Sequence, residues 1–176
     1  MPEYVQLVKP TTELREAYLD FYQEWVDSGE DMVPWVISKD PTDFDAMVQS
    51  LLNNEKDENL PAGWVPDSTY WLVTANNKVI GAVNIRHRLS EKLFNSGGHV
   101  GYGIRPTERR QGYATQLLAM ALEKTKELGI EKVLVVCDEF NTASARTILR
   151  NGGSADVSFT DENGKEVLRF WIDHHL

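Results

Sequence analysis

The chain has 176 residues, a hydrophobic fraction of 41% and a formal net charge of -9. That length and apolar content suit one domain with a single core, and the acidic balance argues against coating a phosphate backbone, although a local basic patch would still meet tRNA. Cys137, the single cysteine, excludes an internal disulfide, and no apolar stretch has membrane-spanning length. The opening MPEYVQLVKP has neither a basic flank nor an apolar run of signal length, so a reducing, cytoplasmic setting is expected.

Glu3 to Val8 alternates polar and apolar residues and predicts a first strand, closed by Pro10, with Thr11 and Thr12 available as helix caps. Leu14, Ala17, Tyr18, Phe21, Tyr22 and Trp25 then recur at helical spacing, up to a stop at Ser28 and Gly29. A second helix is predicted with Asp40 as its cap and Pro41 at its first position. Phe44, Met47, Val48, Leu51 and Leu52 form its buried stripe. NNEKDENLPAG follows as a solvated loop.

The period then changes. STYWLVTA and KVIGAVNIRHRL flank Asn76 and Asn77 as a tight hairpin, and GHVGYGIR is a further strand. ATQLLAMALEKTKELG predicts a helix stopped by Gly129, while KVLVVCD has the short apolar character of a buried parallel strand. NTASARTILRNGG is another helix, and SADVSFT and KEVLRFWIDHH close the chain as a hairpin around DENG. The order β-α-α-β-β-β-α-β-α-β-β predicts an α/β fold. It would be one domain over 1–176, with a single mixed, mostly antiparallel sheet and helices on both faces.

GYGIRPTERRQGYATQLL, from Gly101 to Leu118, places Arg109 and Arg110 just ahead of a helix start, where the dipole is positive and cations are unfavourable. A strand passing through such a turn into a helix points successive N–H groups at one spot, which binds anions. Gly112 and Ala114 leave room for a bulky phosphate, and Thr115 adds a hydroxyl. The bland alternative is a solvated charged loop capped by Thr107 or Glu108. A Walker loop would need a Gly-Lys-Ser/Thr ending, and a dinucleotide-binding fingerprint would need glycines straight after an early strand and an acidic residue near the end of the next; neither pattern is present.

Arg109-x-x-Gly112-x-Ala114 resembles the Gln/Arg-x-x-Gly-x-Gly/Ala signature of the GCN5-related N-acetyltransferases, with Ile104-Arg105-Pro106 leading into it as apolar-x-Pro. VLVVCD, Asn141 opening the next helix, and Asn151-Gly152-Gly153 after it extend the likeness, which is similar to a subgroup of bacterial acetyltransferases. The resemblance implies a fold with a splayed pair of parallel strands, acetyl-CoA as acetyl donor, direct attack by a primary amine of a small molecule or peptide, and a possible homodimer. It implies that the amides of Arg110, Gln111, Gly112, Tyr113, Ala114 and Thr115, with the charge of Arg109 and Arg110, cradle the pyrophosphate. Tyr102, Gly103 and Ile104 would pair with the pantetheine arm and supply an oxyanion donor, and Asn141 would bond the arm from the other side. Gly101 and Gly103 suit a bulged strand approached closely by a ligand. A module that binds acyl-CoA without turnover is the alternative.

Two groups usual in the family are missing, since the helix tyrosine falls on Ile148 and the strand glutamate on Val136. Candidates for proton transfer are His99, otherwise a histidine satisfied by a neighbouring strand, and Asp138, otherwise a loop acid near the Asn141 helix start. Cys137 reads as a small buried hydrophobe rather than a nucleophile. Arg86 and Arg88 alternate with His87 and would share one side, contacting an acidic part of the acceptor or pairing with the chain's own acids. Trp35, Trp64, Tyr70 and Trp71 are candidates for the acceptor wall, with core packing the competing account of Trp71. Glu30 and Asp31 would favour a cationic amine. His174 and His175, adjacent and pointing apart, do not suggest a metal site.

Overall fold

The computed structural model describes residues 4–175, apart from the side chain of Asn59, so Glu3 lies outside the described residues. In chain order the elements are β1 (Val5–Val8), α1 (Arg15–Ser28), α2 (Phe44–Asn53), β2 (Asp67–Thr74), β3 (Val79–Arg86), β4 (Val100–Ile104), α3 (Tyr113–Glu127), β5 (Lys132–Asp138), α4 (Thr142–Arg150), β6 (Ser154–Thr160) and β7 (Glu166–Asp173). The predicted order of strands and helices is the order found.

Local chemistry explains most boundaries. Tyr18, Phe21 and Trp25 lie one turn apart on α1 and are all buried, and Gly29 ends the helix in the left-handed region at φ 69°. The start of α2 differs from expectation. Asp43, not Asp40, is its cap and accepts the Ala46 N–H at 3.2 Å. Asp40 instead accepts from the amide and hydroxyl of Thr42, so Pro41 precedes the helix in a local turn.

The expected single sheet is two. One runs β1-β2-β3-β4 and the other β5-β7-β6, and every ladder among the described residues is antiparallel. β5 is therefore not laddered to a parallel neighbour: its apolar run is paired with β7 and buried on α3 and α4. The two sheets meet at His99, whose N–H donates to the Leu134 carbonyl at 2.7 Å while its Nδ1 accepts the Leu134 N–H at 2.9 Å. A Cβ on Gly98 would lie 2.7 Å from that same carbonyl, so only glycine permits the approach.

Helices cover both faces. Tyr18, Phe21, Trp25, Phe44 and Trp71 pack on the α1–α2 side, with the Tyr18 and Trp71 rings stacked at 4.4 Å. Leu117, Leu118, Val133, Ile148 and Phe170 fill the α3–α4 side. A fully buried leucine such as Leu117 contributes about 2 kcal/mol by removal from water. No helix among the described residues is long and apolar enough to cross a membrane.

Candidate active site

Beyond the His99 clasp a cleft of about 360 Å³ lies between the two sheets. Val100, Gly101 and Tyr102 of β4 line one wall, Val136, Cys137 and Asp138 of β5 the other, and Asn141 and Ser144 close it from α4. Val33, Pro34, Trp35, Arg86, Ser96 and Gly97 close the opposite side.

The turn between β4 and α3 is anchored from outside. Arg105, almost fully buried, donates to Asp20 and to Glu24 at 2.9 Å each and to the Val79 carbonyl, and the Glu24 carboxylate also accepts from the amide and hydroxyl of Thr107. Burial alone would raise the Glu24 carboxyl. Hydrogen bonds from Arg105 and Thr107 more than reverse that, holding it below its ordinary value. Sequence reasoning gave Arg105 no role, because its acids lie some 80 residues earlier in the chain.

Arg109 is also structural. Its guanidinium donates to the Ile104 carbonyl at 3.1 Å and to Glu30 at 2.9 Å, and lies 5.2 Å from the centre of the Trp25 ring. Both expectations for this pair are corrected: Arg109 is spent on α1 and its following loop, and Glu30 is its counter-ion rather than an acceptor-site acid. Arg110 is exposed, sits in the left-handed region at φ 64°, and has no ion partner among the described residues. Gly112 follows at φ 86° as the cap position of α3, with no side-chain cap bond.

Among the described residues the amides of Arg110, Gln111, Gly112, Ala114 and Thr115 meet no protein acceptor, so an open row of donors stands at a helix start. Gln111 donates its side chain to Glu108, Tyr113 buries its ring in the core, and the Thr115 carbonyl accepts from Asn151. Asn141 caps α4 through Oδ1, accepting the Ser144 N–H at 3.1 Å.

The side chain of β4 that faces the cleft was read only for its backbone. The Tyr102 hydroxyl lies 2.8 Å from the Ser144 hydroxyl, and burial pushes its pKa up to about 12. The pattern Gly101-Tyr102-Gly103 held the signal, since alternation puts the ring on the face opposite to whatever covers the glycines. What covers them is the chain itself. A Cβ on Gly103 would lie 2.0 Å from the Val33 carbonyl, and one on Gly101 would lie 3.2 Å from an Arg86 nitrogen. The close approach is therefore intramolecular, and β4 carries no bulge against β3.

Other candidates separate. His99 is buried, and burial, reinforced by the Arg86 charge, pushes its pKa down to about 4. At neutral pH its one lone pair accepts the Leu134 N–H, so it is a clasp and not a free base. Asp138 lines the cleft mouth and pairs with Lys165 at 3.0 Å, where the charge of Asp31 is also felt. Burial raises the Cys137 thiol, which keeps it protonated.

Trp35 lines the cleft and meets Trp64 edge-on at 5.7 Å. Tyr70 does not; it packs against the α3-side core with Lys124 5.3 Å from its ring centre. Trp71 is core. Arg88 is also excluded, because β3 ends at Arg86, the alternation stops, and Arg88 forks onto Asp57 at 2.7 and 3.1 Å. His174 bonds Thr125, and no group of three or more metal-binding side chains forms among the described residues.

Solved structures of the same fold include the microcin self-immunity acetyltransferase MccE in complex with acetyl-CoA and AMP, at 14% identity and TM-score 0.69, covering 98% of this chain and 93% of that one. RimJ of Mycobacterium smegmatis in complex with CoA-disulfide matches at 16% and 0.71, covering 98% and 83%. Spermidine N-acetyltransferase SpeG of Vibrio cholerae matches at 14% and 0.63, covering 97% and 94%. No curated protein matches the sequence. The sequence model of the acetyltransferase (GNAT) domain matches residues 5–154, and the chain belongs to the GNAT acetyltransferase family.

Proposed function

We propose that the cleft is where acetyl-CoA meets a primary amine of a small molecule or peptide, with the turn at 110–115 holding the coenzyme's pyrophosphate. Use of acetyl-CoA as donor follows from family membership. The observation that carries the site assignment is the open row of amides at the start of α3, placed directly after the strand that walls the cleft. Two left-handed residues, Arg110 and Gly112, turn those amides outward, and the absence of a side chain at Gly112 leaves room for phosphate oxygens. Arg110 supplies the mobile charge. Asn141, its Oδ1 committed to the cap, has its amide nitrogen available for the pantetheine arm.

Acetyl transfer requires a neutral amine, a donor for the developing oxyanion and a donor for the departing sulfur. The β4 edge at Tyr102 and Gly103 would supply the first donor from its backbone. For the second, the Tyr102–Ser144 hydroxyl pair replaces the helix tyrosine that is missing at Ile148. A phenol with a pKa of about 12 stays protonated, and it lies well above the roughly 8.5 of a thiol. It therefore stabilises the leaving thiolate by hydrogen bonding, with the net proton coming from solvent. Asp138 at the mouth would take the amine's proton through water.

Calorimetric titration of acetyl-CoA, then thiol release across a panel of amines, tests the reading. Tyr102→Phe is expected to lower kcat about tenfold while CoA affinity holds. Tight acetyl-CoA binding with no turnover on any amine would overturn the enzymatic assignment in favour of a binding module.

A further inference from the structure

We propose that Arg86 determines acceptor specificity, and that the acceptor is a small amine carrying its own carboxylate, of the amino-acid class. The inference rests on the reading of the cleft as the site of acetyl transfer.

Arg86 is the last residue of β3, and its guanidinium lies across Gly101, where an added Cβ would come within 3.2 Å of Nη2 and 3.3 Å of Nη1. The side chain lines the cleft, partly buried. Its one hydrogen bond among the described residues is from Nη1 to the Gly97 carbonyl, at 3.3 Å. A guanidinium has five donors, so most of the fork is unspent.

The other arginines in comparable surroundings are all matched. Arg105 holds Asp20 and Glu24, Arg109 holds Glu30, and Arg169 holds Asp156; even the exposed Arg88 holds Asp57. Arg86 forms no ion pair within 4.0 Å among the described residues. Asp67 stands opposite it in the β2–β3 register, yet the Asp67 carboxylate accepts from Asn84 at 2.7 Å and acts on Arg86 only at longer range. A partly buried cation held by one weak hydrogen bond is costly to the free protein. A bound carboxylate relieves that cost, because its two oxygens match the planar fork.

Beside Arg86, Ser96 and Gly97, this side of the cleft carries Trp35, Pro34 and Val33, and Val100 faces it from β4, apolar surface suited to a hydrophobic side chain. The cleft's volume of about 360 Å³ must also take the thioester end of the donor, which leaves space for a small molecule. An amino acid fits these demands together, with its carboxylate on Arg86, its side chain on the aromatic and aliphatic wall, and its amine toward β4. A polyamine does not, since its ammonium groups would face an unneutralised guanidinium.

The experiment begins with CoA titration, because absent binding would sink the reading of the site and not the role of Arg86 alone. Acetylation is then measured on matched sets, each an amino acid, its amide and its decarboxylated amine. The wild type is expected to prefer the acid by at least about tenfold in kcat/KM. Arg86→Gln should lose most of that preference through KM while retaining CoA affinity, and Arg86→Lys should restore part of it. Arg88→Gln should keep the preference, as its side chain points to Asp57. Equal rates on acid and amide, or an equal loss on both in Arg86→Gln, would overturn the proposal. Where no member turns over, N-acetyl amino acids and their amides are titrated into the CoA-loaded protein. Acid-selective binding that Arg86→Gln abolishes supports the proposal, and its absence overturns it.

Discussion

The turn from Arg105 to Thr115 and the cleft between β4 and β5 adjoin the same strand but are built in opposite ways. The turn presents main-chain groups, and the residues that shape them are consecutive: Gly112 and Arg110 set the left-handed steps, and Pro106 starts the short helical turn before them. The cleft presents side chains gathered from separate segments, with Trp35, Arg86, Ser96, Tyr102, Asp138 and Ser144 each arriving on a different element or loop. A site made of backbone is local in sequence. A site made of converging side chains is not.

The largest expected effect tests the convergence. Gly103→Val would drive a side chain into the Val33 carbonyl, which already stands 2.0 Å from the position of a Cβ. Because that contact is with backbone, the 33–35 segment must shift, and a loss of about 3 kcal/mol in urea unfolding is expected. Gly101→Ala meets the movable Arg86 fork at 3.2 Å and Pro34 only at an ordinary van der Waals 3.4 Å, so it should cost little stability and instead disturb acid preference. Similar stability for both variants would mean that the segment at Val33 does not close on β4.

Next in size is Gly112→Leu, which tests the turn. A side chain at φ 86° costs about 1 kcal/mol of stability and, more importantly, stands where phosphate oxygens would approach the amides. CoA affinity should fall by at least about tenfold by calorimetry, beyond what strain alone explains. An unchanged Kd would remove the turn from the donor site.

How much could be read in advance follows the same division. Asn141 as the cap of α4, Gly29 and Gly129 as stops, and the Asn77 hairpin were legible because each is decided by neighbouring residues. The left-handed turn into α3 is local in the same way, set by Arg110 and Gly112. What failed depended on distant partners: Arg109 reads as a phosphate ligand until Glu30 and Trp25 are placed beside it, and Arg88 reads as a neighbour of Arg86 until β3 ends and Asp57 captures it. The two glycines of β4 read as a bulged strand approached by a ligand, whereas the approach is made by Val33, Pro34 and Arg86 of the chain itself and the strand carries no bulge. The break into two sheets was invisible because every strand has the same local pattern whether or not a ladder crosses to the next.

The adjacent arginines give a smaller, two-sided prediction. Arg109→Ala should cost about 1 kcal/mol of stability, since it removes the Glu30 pair and the Trp25 contact at a half-exposed site where solvent screens the charge. Arg110→Ala should leave unfolding unchanged and weaken CoA roughly fivefold at low salt, with the difference shrinking as salt rises. The reverse pattern would interchange their roles.

The smallest expected effect on rate concerns His99, the residue whose side chain joins the two sheets. Its pKa, pushed down to about 4 by burial and then by the Arg86 charge, places its titration below the range in which an amine is acetylated. His99→Asn keeps an acceptor for the Leu134 N–H, so the dependence of kcat/KM on pH between about 6 and 8 should match the wild type. The unfolded chain binds a proton near pH 6.5 that the folded chain refuses until about 4. Unfolded protein therefore holds more protons in that window, and the stability His99 contributes is complete above about pH 6.5 and is lost as pH falls toward 4. Between pH 7 and pH 5 the wild type should lose about 1 to 2 kcal/mol that His99→Asn does not. An inflection in rate near pH 6.5 that disappears in His99→Asn would restore the histidine as a base, and would require that the clasp to Leu134 opens during turnover.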